Sequence, residues 1–285
     1  MPRRRAVARP RRPARPLAAN VIEIKPQSVP AVAKAIAVIR LLNGRSSAGA
    51  ALSDISDTLR ITRSHCYNIL RTLADHAWIV YDPPTRLYRL GPALAADSTA
   101  ALLSHPHLPI VRPAIDRLAD EIGLPCTVCE PIADGSFLVV HTAHYPDPTV
   151  SAAPVGYRFP PTAAAQFKAR LAWLAPAARE AALSIWQPVQ HTKTTIMDRP
   201  TLERDLDAAR ARGCVRSSGE FVEGFVTLAL PIFDRAGDVV LIASCAARTG
   251  ALDGREAEVA AALARAVNAV HATIDGRPPI DFPRP

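Results

Sequence analysis

Residues 62–91 read Thr62-Arg63-Ser64-His65-Cys66-Tyr67-Asn68-Ile69-Leu70-Arg71-Thr72-Leu73-Ala74-Asp75-His76-Ala77-Trp78-Ile79-Val80-Tyr81-Asp82-Pro83-Pro84-Thr85-Arg86-Leu87-Tyr88-Arg89-Leu90-Gly91. At about 100° per residue, Cys66, Ile69, Leu70 and Leu73 gather on one side of a helix. Arg63, Ser64, Tyr67, Asn68 and Arg71 gather on the other, with His65 at the border. Thr62 is placed to cap this helix, which is expected to run to about His76. A polar helix face is ordinarily just solvated. This one lacks any acid and joins two arginines to Ser, Asn and Tyr, residue types that hydrogen-bond base edges and phosphates, so it is read as a DNA-contacting face. Trp78 to Tyr81, the turn Asp82 to Arg86, and Leu87 to Gly91 then read as strand, turn and strand. A hairpin following a recognition helix is the wing of a winged helix, with Arg86 at its tip able to reach a phosphate or the minor groove.

Upstream, Val32, Ala35, Ile36, Ile39 and Leu42 recur at steps of three and four, predicting a first helix that ends near Asn43-Gly44. Ser53 is expected to cap a second, short helix with Asp54 in its first turn and Ile55 and Leu59 inward. Two helices separated only by Arg60 and Ile61 make a helix-turn-helix.

Charge is divided unevenly. Residues 1–16 carry seven arginines and no acid, whereas residues 26–92 hold eight basic against four acidic side chains. Residues 17–25 cancel, Glu23 against Lys25, and residues 93–285 come to −3, within a total of +8. A basic front joined to a mildly acidic remainder points to a polyanion partner for the front alone. Four prolines in residues 1–16 argue against the amphipathic helix of an organellar transit peptide. The reading is a disordered basic arm over residues 1–25, expected to add sequence-independent DNA affinity. Hydrophobic residues at 49% and charged ones at 21% exclude global disorder across the 285 residues. No apolar run approaches the roughly 18 residues of a membrane helix, so no membrane partner is expected. Five cysteines without a signal-peptide pattern make no disulfide framework, which suggests a reducing, cytoplasmic setting.

The winged helix-turn-helix is placed at residues 26–92, a linker helix at 93–105, a second domain at 106–275 and a C-terminal tail at 276–285. Within the second domain, Leu108, Val111, Ile115, Leu118 and Ile122 form a stripe ended by Gly123. Strands are expected at about 125–130, 136–143, 149–153, 225–233 and 238–246. Helices are expected at about 162–174, 177–185, 200–212 and 253–274. The fold class is α+β.

No catalytic, metal or cofactor site is read. Cys126-x-x-Cys129 lies in a strand, where positions three apart face opposite sides, and no second Cys pair follows. His141-x-x-His144 lacks a carboxylate motif nearby. His105 and His107 are assigned to a hinge loop. HExxH, GxSxG, Walker and GxGxxG patterns are all missing.

The run Ser28-Val29 through Ala35-Ile36, with Leu52-Ser53-Asp54-Ile55, Ile69-Leu70-Arg71-Thr72-Leu73 and Tyr88-Arg89-Leu90-Gly91, resembles the IclR family of bacterial transcriptional regulators. The resemblance covers roughly residues 28–270 and implies a GAF-like α+β effector-binding domain behind the winged helix. It departs at Arg60 and Ala77, where the family usually has glycine, and at Asn68, where it often has arginine. Asn suits the adenine edge and Arg the guanine edge, so Asn68 is expected to change the operator. The family pattern further implies a small organic acid held by a helix start of the type Ala-x-Gly-Lys-Ala, matched here by Ala165-Gln166-Phe167-Lys168-Ala169. Ser217, Thr227 before Ala229-Leu230-Pro231, and Ser244 with Ala246 match its remaining positions. Four of these depart from the usual types: Phe167 replaces Gly, Ser217 an acid, Thr227 a Cys and Ala246 a Ser. Phe167 is read either as a wall of the pocket or as a filler of the core.

The resulting expectation is a dimeric or tetrameric regulator that binds double-stranded DNA and a small organic-acid effector. DNA contacts are assigned to Arg63, Ser64, His65, Tyr67, Asn68, Arg71 and Arg86, and effector contacts to Ala165, Gln166, Ser217, Thr227 and Ser244. The alternatives are a thiol- or metal-dependent hydrolase using Cys126, Cys129, His141 and His144, or a DNA-binding protein with a ligand-blind second domain.

Overall fold

A computed structural model of the chain describes residues 29–45, 48–143 and 152–284. The basic arm, Ser28, His144 and most of the strand expected at 149–153 lie outside the described residues. What is described of that segment, 152–153, is not strand.

The first unit contains α1 (Pro30–Gly44), β1 (Ala50–Ala51), α2 (Leu52–Leu59), α3 (Arg63–Asp75), β2 (Ile79–Asp82) and β3 (Leu87–Leu90). Val38, Leu42, Ile55, Cys66, Ile69, Leu70, Leu73, Ile79 and Tyr88 form its core. The apolar side of α3 therefore faces inward as the periodicity requires. Thr62 Oγ1 accepts from the His65 N–H at 3.4 Å, the expected cap. Ser53 does not cap α2. The N-cap is Ala51, because the helix begins at Leu52, directly after the two-residue strand that pairs with β3. The wing forms in the order β1-β3-β2. Gly91 closes it, since a β-carbon there would meet the Ala77 carbonyl oxygen at 2.2 Å. Trp78 Nε1 donates to Asp97 Oδ2 at 2.7 Å and so ties the wing to α4 (Pro92–Leu103).

The second unit follows with α5 (Leu108–Ile122), β4 (Cys126–Pro131), β5 (Phe137–Ala143), β6 (Arg158–Phe159), α6 (Ala164–Ala172), α7 (Pro176–Ser184), α8 (Arg199–Arg212), β7 (Val215–Ser218), β8 (Phe225–Phe233), β9 (Val239–Arg248) and α9 (Glu256–Ile274). Its strands form one antiparallel sheet in the order β6-β5-β4-β9-β8-β7. Helices α5 and α9 pack on one face and α6 on the other. Burial on both faces explains why β8 and β9 read as nearly continuous apolar runs instead of alternating. Of the expected tail at 276–285, the described residues 276–284 return to this unit. Phe282 is part of its core, against Trp173, Phe233 and His271. Among the described residues no helix is long and apolar enough to cross a membrane.

Candidate functional site

The outer face of α3 carries Arg63, Ser64, Tyr67, Asn68 and Arg71, all exposed. Arg63 and Arg71 make no ion pair with the described residues, unlike Arg45 with Asp54 (3.6 Å) or Arg89 with Asp82 (3.3 Å) in the same unit. Their charge is free to meet a phosphate. The Asn68 side-chain amide makes no hydrogen bond with the described residues, and Thr72 Oγ1 donates to the Asn68 backbone carbonyl. His65 is half-buried, and its Nε2 is enclosed without a hydrogen-bond partner among the described residues. Arg86 is exposed at the wing tip with φ 56°.

The five residues that the family pattern singled out in the second unit line one cavity of about 320 Å³. Ser217 on β7 pairs with Thr227 on β8, which pairs with Ala246 on β9; Thr127 on β4 pairs with Ser244 on β9. These registers set a field of hydroxyls on one sheet face, and Thr127 Oγ1 and Ser244 Oγ lie 2.8 Å apart. Ala165 and Gln166 face this field from the first turn of α6. That helix opens at Ala163 without a side-chain cap, so its first amide N–H groups are available to an acceptor. Opposite runs an aromatic wall in which Tyr157 and Phe159 stand 4.9 Å apart, and Phe159 and Phe221 5.7 Å. Sequence reasoning missed this wall because it is built from short or irregular segments without periodicity. Thr127 escaped as well, because only its register with Ser244 places it on this face.

Glu220 is the one charged residue among the described cavity-lining residues. Its carboxylate is held by Lys168 Nζ at 2.7 Å; the same ammonium bonds Asp205 Oδ2 at 2.7 Å and the Arg216 carbonyl oxygen at 2.9 Å. All three ammonium protons are thereby used, and Lys168 is 1% exposed. It therefore braces α6 against β7 and α8 and does not reach the cavity.

Phe167 does not wall the cavity. It points away from it and stacks on Trp186 at 6.2 Å, which leaves the core-filling reading. Cys126 and Cys129 are buried; burial raises both thiols and pushes Cys129 up to about 12. A thiol held protonated is a poor nucleophile or ligand. His141 Nε2 lies 2.8 Å from Asp116 Oδ1, a carboxylate that sequence spacing did not reveal. Among the described residues no three His, Cys, Asp or Glu side chains gather as a metal site.

Among the described residues one hydrogen bond joins α1 to the second unit. Asn43 Nδ2, at the end of α1, donates to the Gly156 carbonyl oxygen at 2.9 Å. Gly156 sits at φ 87° in the turn from Pro154 to Tyr157, both of which line the cavity.

A winged helix-turn-helix with an acid-free outer face, followed by a sheet domain around a ligand-sized cavity, is the construction of a DNA-binding transcriptional regulator. The models of the "IclR helix-turn-helix domain" and of "Bacterial transcriptional regulator IclR C-terminal" match residues 31–83 and 99–272. The chain belongs to the IclR family of bacterial transcriptional regulators. The glycerol operon regulatory protein of Streptomyces griseus is 28% identical over 220 residues, covering 73% of this chain and 81% of the relative. The transcriptional repressor AllR of Escherichia coli is 28% identical over 214 residues, covering 74% and 77%. A regulator structure from Alicyclobacillus acidocaldarius superposes with a TM-score of 0.75 at 28% identity, covering 86% of this chain and 98% of that one. These relatives are regulators, and the hydrolase alternative falls with them.

Proposed function

We propose that this regulator reads its operator with the outer face of α3 and the wing, and that a small organic acid in the cavity of the second unit changes operator binding. The proposal extends to a cytoplasmic homodimer or homotetramer, with residues 26–92 as the DNA-binding unit and residues from 106 onward as the effector-binding unit. The observation that carries the ligand reading is the uncapped start of α6 facing the hydroxyls of Thr127, Ser217, Thr227 and Ser244 across the cavity. Amide donors at a helix start receive a carboxylate without a cationic side chain, and the aromatic wall suits an apolar body. The turn holding Gly156 gives such a ligand a route to α1, because it walls the cavity and accepts from Asn43. A ligand shifts DNA binding only as far as it prefers one arrangement of the two units.

For the DNA face, Asn68→Ala is expected to change the base preference at one operator position by roughly 1 to 3 kcal/mol, if its amide reads a base edge. Arg71→Ala is expected mainly to weaken binding. Binding-site selection and titration on both variants check this; a parental sequence logo with parental affinity in both would remove α3 as the reading element.

For the cavity, a panel of aliphatic and aromatic carboxylic acids is screened by thermal shift, since a ligand at 100 times its Kd adds about 2.7 kcal/mol to the folded state. Ala165→Phe blocks the amides of α6 and Ser244→Leu removes a hydroxyl. Both variants are expected to lose the shift and the effector response while binding DNA as the parent does without ligand. A full response in both would place the ligand elsewhere, and a panel with no stabilising acid would favour the ligand-blind alternative.

A further inference from the structure

The turn of the helix-turn-helix has an unusual backbone. Arg60 closes α2 at φ 52° and ψ 45°, the left-handed region in which the β-carbon of an L-residue crowds the following carbonyl and glycine normally stands. Nothing in the packing asks for arginine there. The side chain is exposed and makes no ion pair with the described residues. The bonds that form the turn, from the Arg60 N–H to the Asp57 carbonyl at 3.3 Å and from the Ile61 N–H to the Ser56 carbonyl at 3.0 Å, involve backbone atoms alone. Glycine would make them equally well and with less strain. Of the other left-handed non-glycine residues in this unit, Ala77 and Arg86, the one at the wing tip is again an exposed arginine without an ion pair among the described residues.

We propose that Arg60 is a phosphate anchor, a DNA contact additional to those of α3 and the wing. It stands two residues before the cap Thr62 and three before Arg63, the first residue of α3. A helix entering the major groove brings its N-terminal end to the groove edge, where the turn before it meets the sugar-phosphate backbone. A guanidinium at that edge adds to the positive end of the α3 dipole, and the first turn of α3 has no acid to oppose it. Local strain held at a contact site is then a property of the interface. The proposal rests on α3 being the reading helix, which the Asn68 and Arg71 variants test separately.

The test compares full-length Arg60→Gly, Arg60→Lys and Arg60→Gln on two duplexes: a site selected from random sequence by the parent, and an unrelated duplex of equal length. Arg60→Gly is expected to melt no lower than the parent, because it relaxes the turn, yet to bind both duplexes roughly fivefold to tenfold more weakly. Its slope of log K against log salt should fall by about 0.9, the contribution of one phosphate contact. Arg60→Gln should share the loss and Arg60→Lys should keep the parental slope. Parental affinity and slope in Arg60→Gly would overturn the proposal. A loss confined to the selected site would also overturn it, since Arg60 would then read a base.

Discussion

Replacing Lys168 by methionine is expected to remove about 3–5 kcal/mol of folding stability, because breaking a buried ion pair from one side strands the charge on the other. Methionine keeps most of the apolar stem, so the loss isolates the ammonium. What remains is Glu220, 8% exposed, and the partly buried Asp205, both deprived of a cation that had bonded each at 2.7 Å. Two carboxylates brought together without their counter-charge repel each other, and the Arg216 carbonyl loses its donor as well. The same triad tethers β7 and the segment through Glu220, so the cavity wall formed by Ser217, Gly219 and Glu220 should loosen too. Urea unfolding of the full chain gives the stability change. Combining Lys168→Met with Asp205→Asn and Glu220→Gln removes every charge of the cluster, and this triple variant should be more stable than the single one. A single variant within about 1 kcal/mol of the parent would show that water replaces the ammonium without penalty, and that the cluster does not brace α6.

Periodicity made α3 legible to the residue. Four apolar positions at steps of three and four define an inward face, and the same four are buried in the folded unit. The stripe of α5 was legible for the same reason, and so was its end at Gly123, which takes the left-handed cap. The start of α2 was not, because Ser53 has the chemistry of a cap while the pairing of β1 with β3 decides where the helix begins. Strand β7 escaped because four residues, Val-Arg-Ser-Ser, give too short a pattern to distinguish from a loop; only its register with Thr227 makes Ser217 part of the cavity floor. Lys168 sits in the family-like run at α6, yet its partners lie 37 and 52 residues further on and follow no spacing rule. Phe167 shows the limit of carrying a motif over by position, since glycine and phenylalanine at one helix position need not serve the same surface. On α6 the phenylalanine faces Trp186 and leaves the cavity to Ala165 and Gln166.

Phe282→Ala is expected to cost about 3–5 kcal/mol, the range for truncating a buried aromatic side chain and leaving a cavity. This residue was assigned to a tail, yet it is 3% exposed and its ring lies 5.3 Å from Trp173, 5.7 Å from Phe233 and 5.3 Å from His271. Two hydrogen bonds hold the segment in place: the Arg277 N–H donates to the Asp234 carbonyl at 2.9 Å, and the Asn268 side-chain Nδ2 to the Pro283 carbonyl at 2.9 Å. Its loss has a second consequence at His271, whose pKa burial lowers to about 4. The ring is neutral at pH 7, accepting from the Phe233 N–H at Nε2 and carrying its proton on Nδ1. Between about pH 6.5 and pH 4 the unfolded chain takes up a proton at this histidine that the native state refuses, so the parent loses stability as pH falls through that window, by up to about 1.4 kcal/mol per unit from this group. Removing the Phe282 ring lets water reach the imidazole and returns its pKa toward the ordinary value. The variant should thus be less stable than the parent at pH 7, with a smaller gap at pH 5. Urea midpoints at the two pH values measure both effects, and a gap that stayed constant would separate the packing role of Phe282 from any hold on the histidine. A loss below about 1 kcal/mol at pH 7 would show that the C-terminal segment does not complete the core.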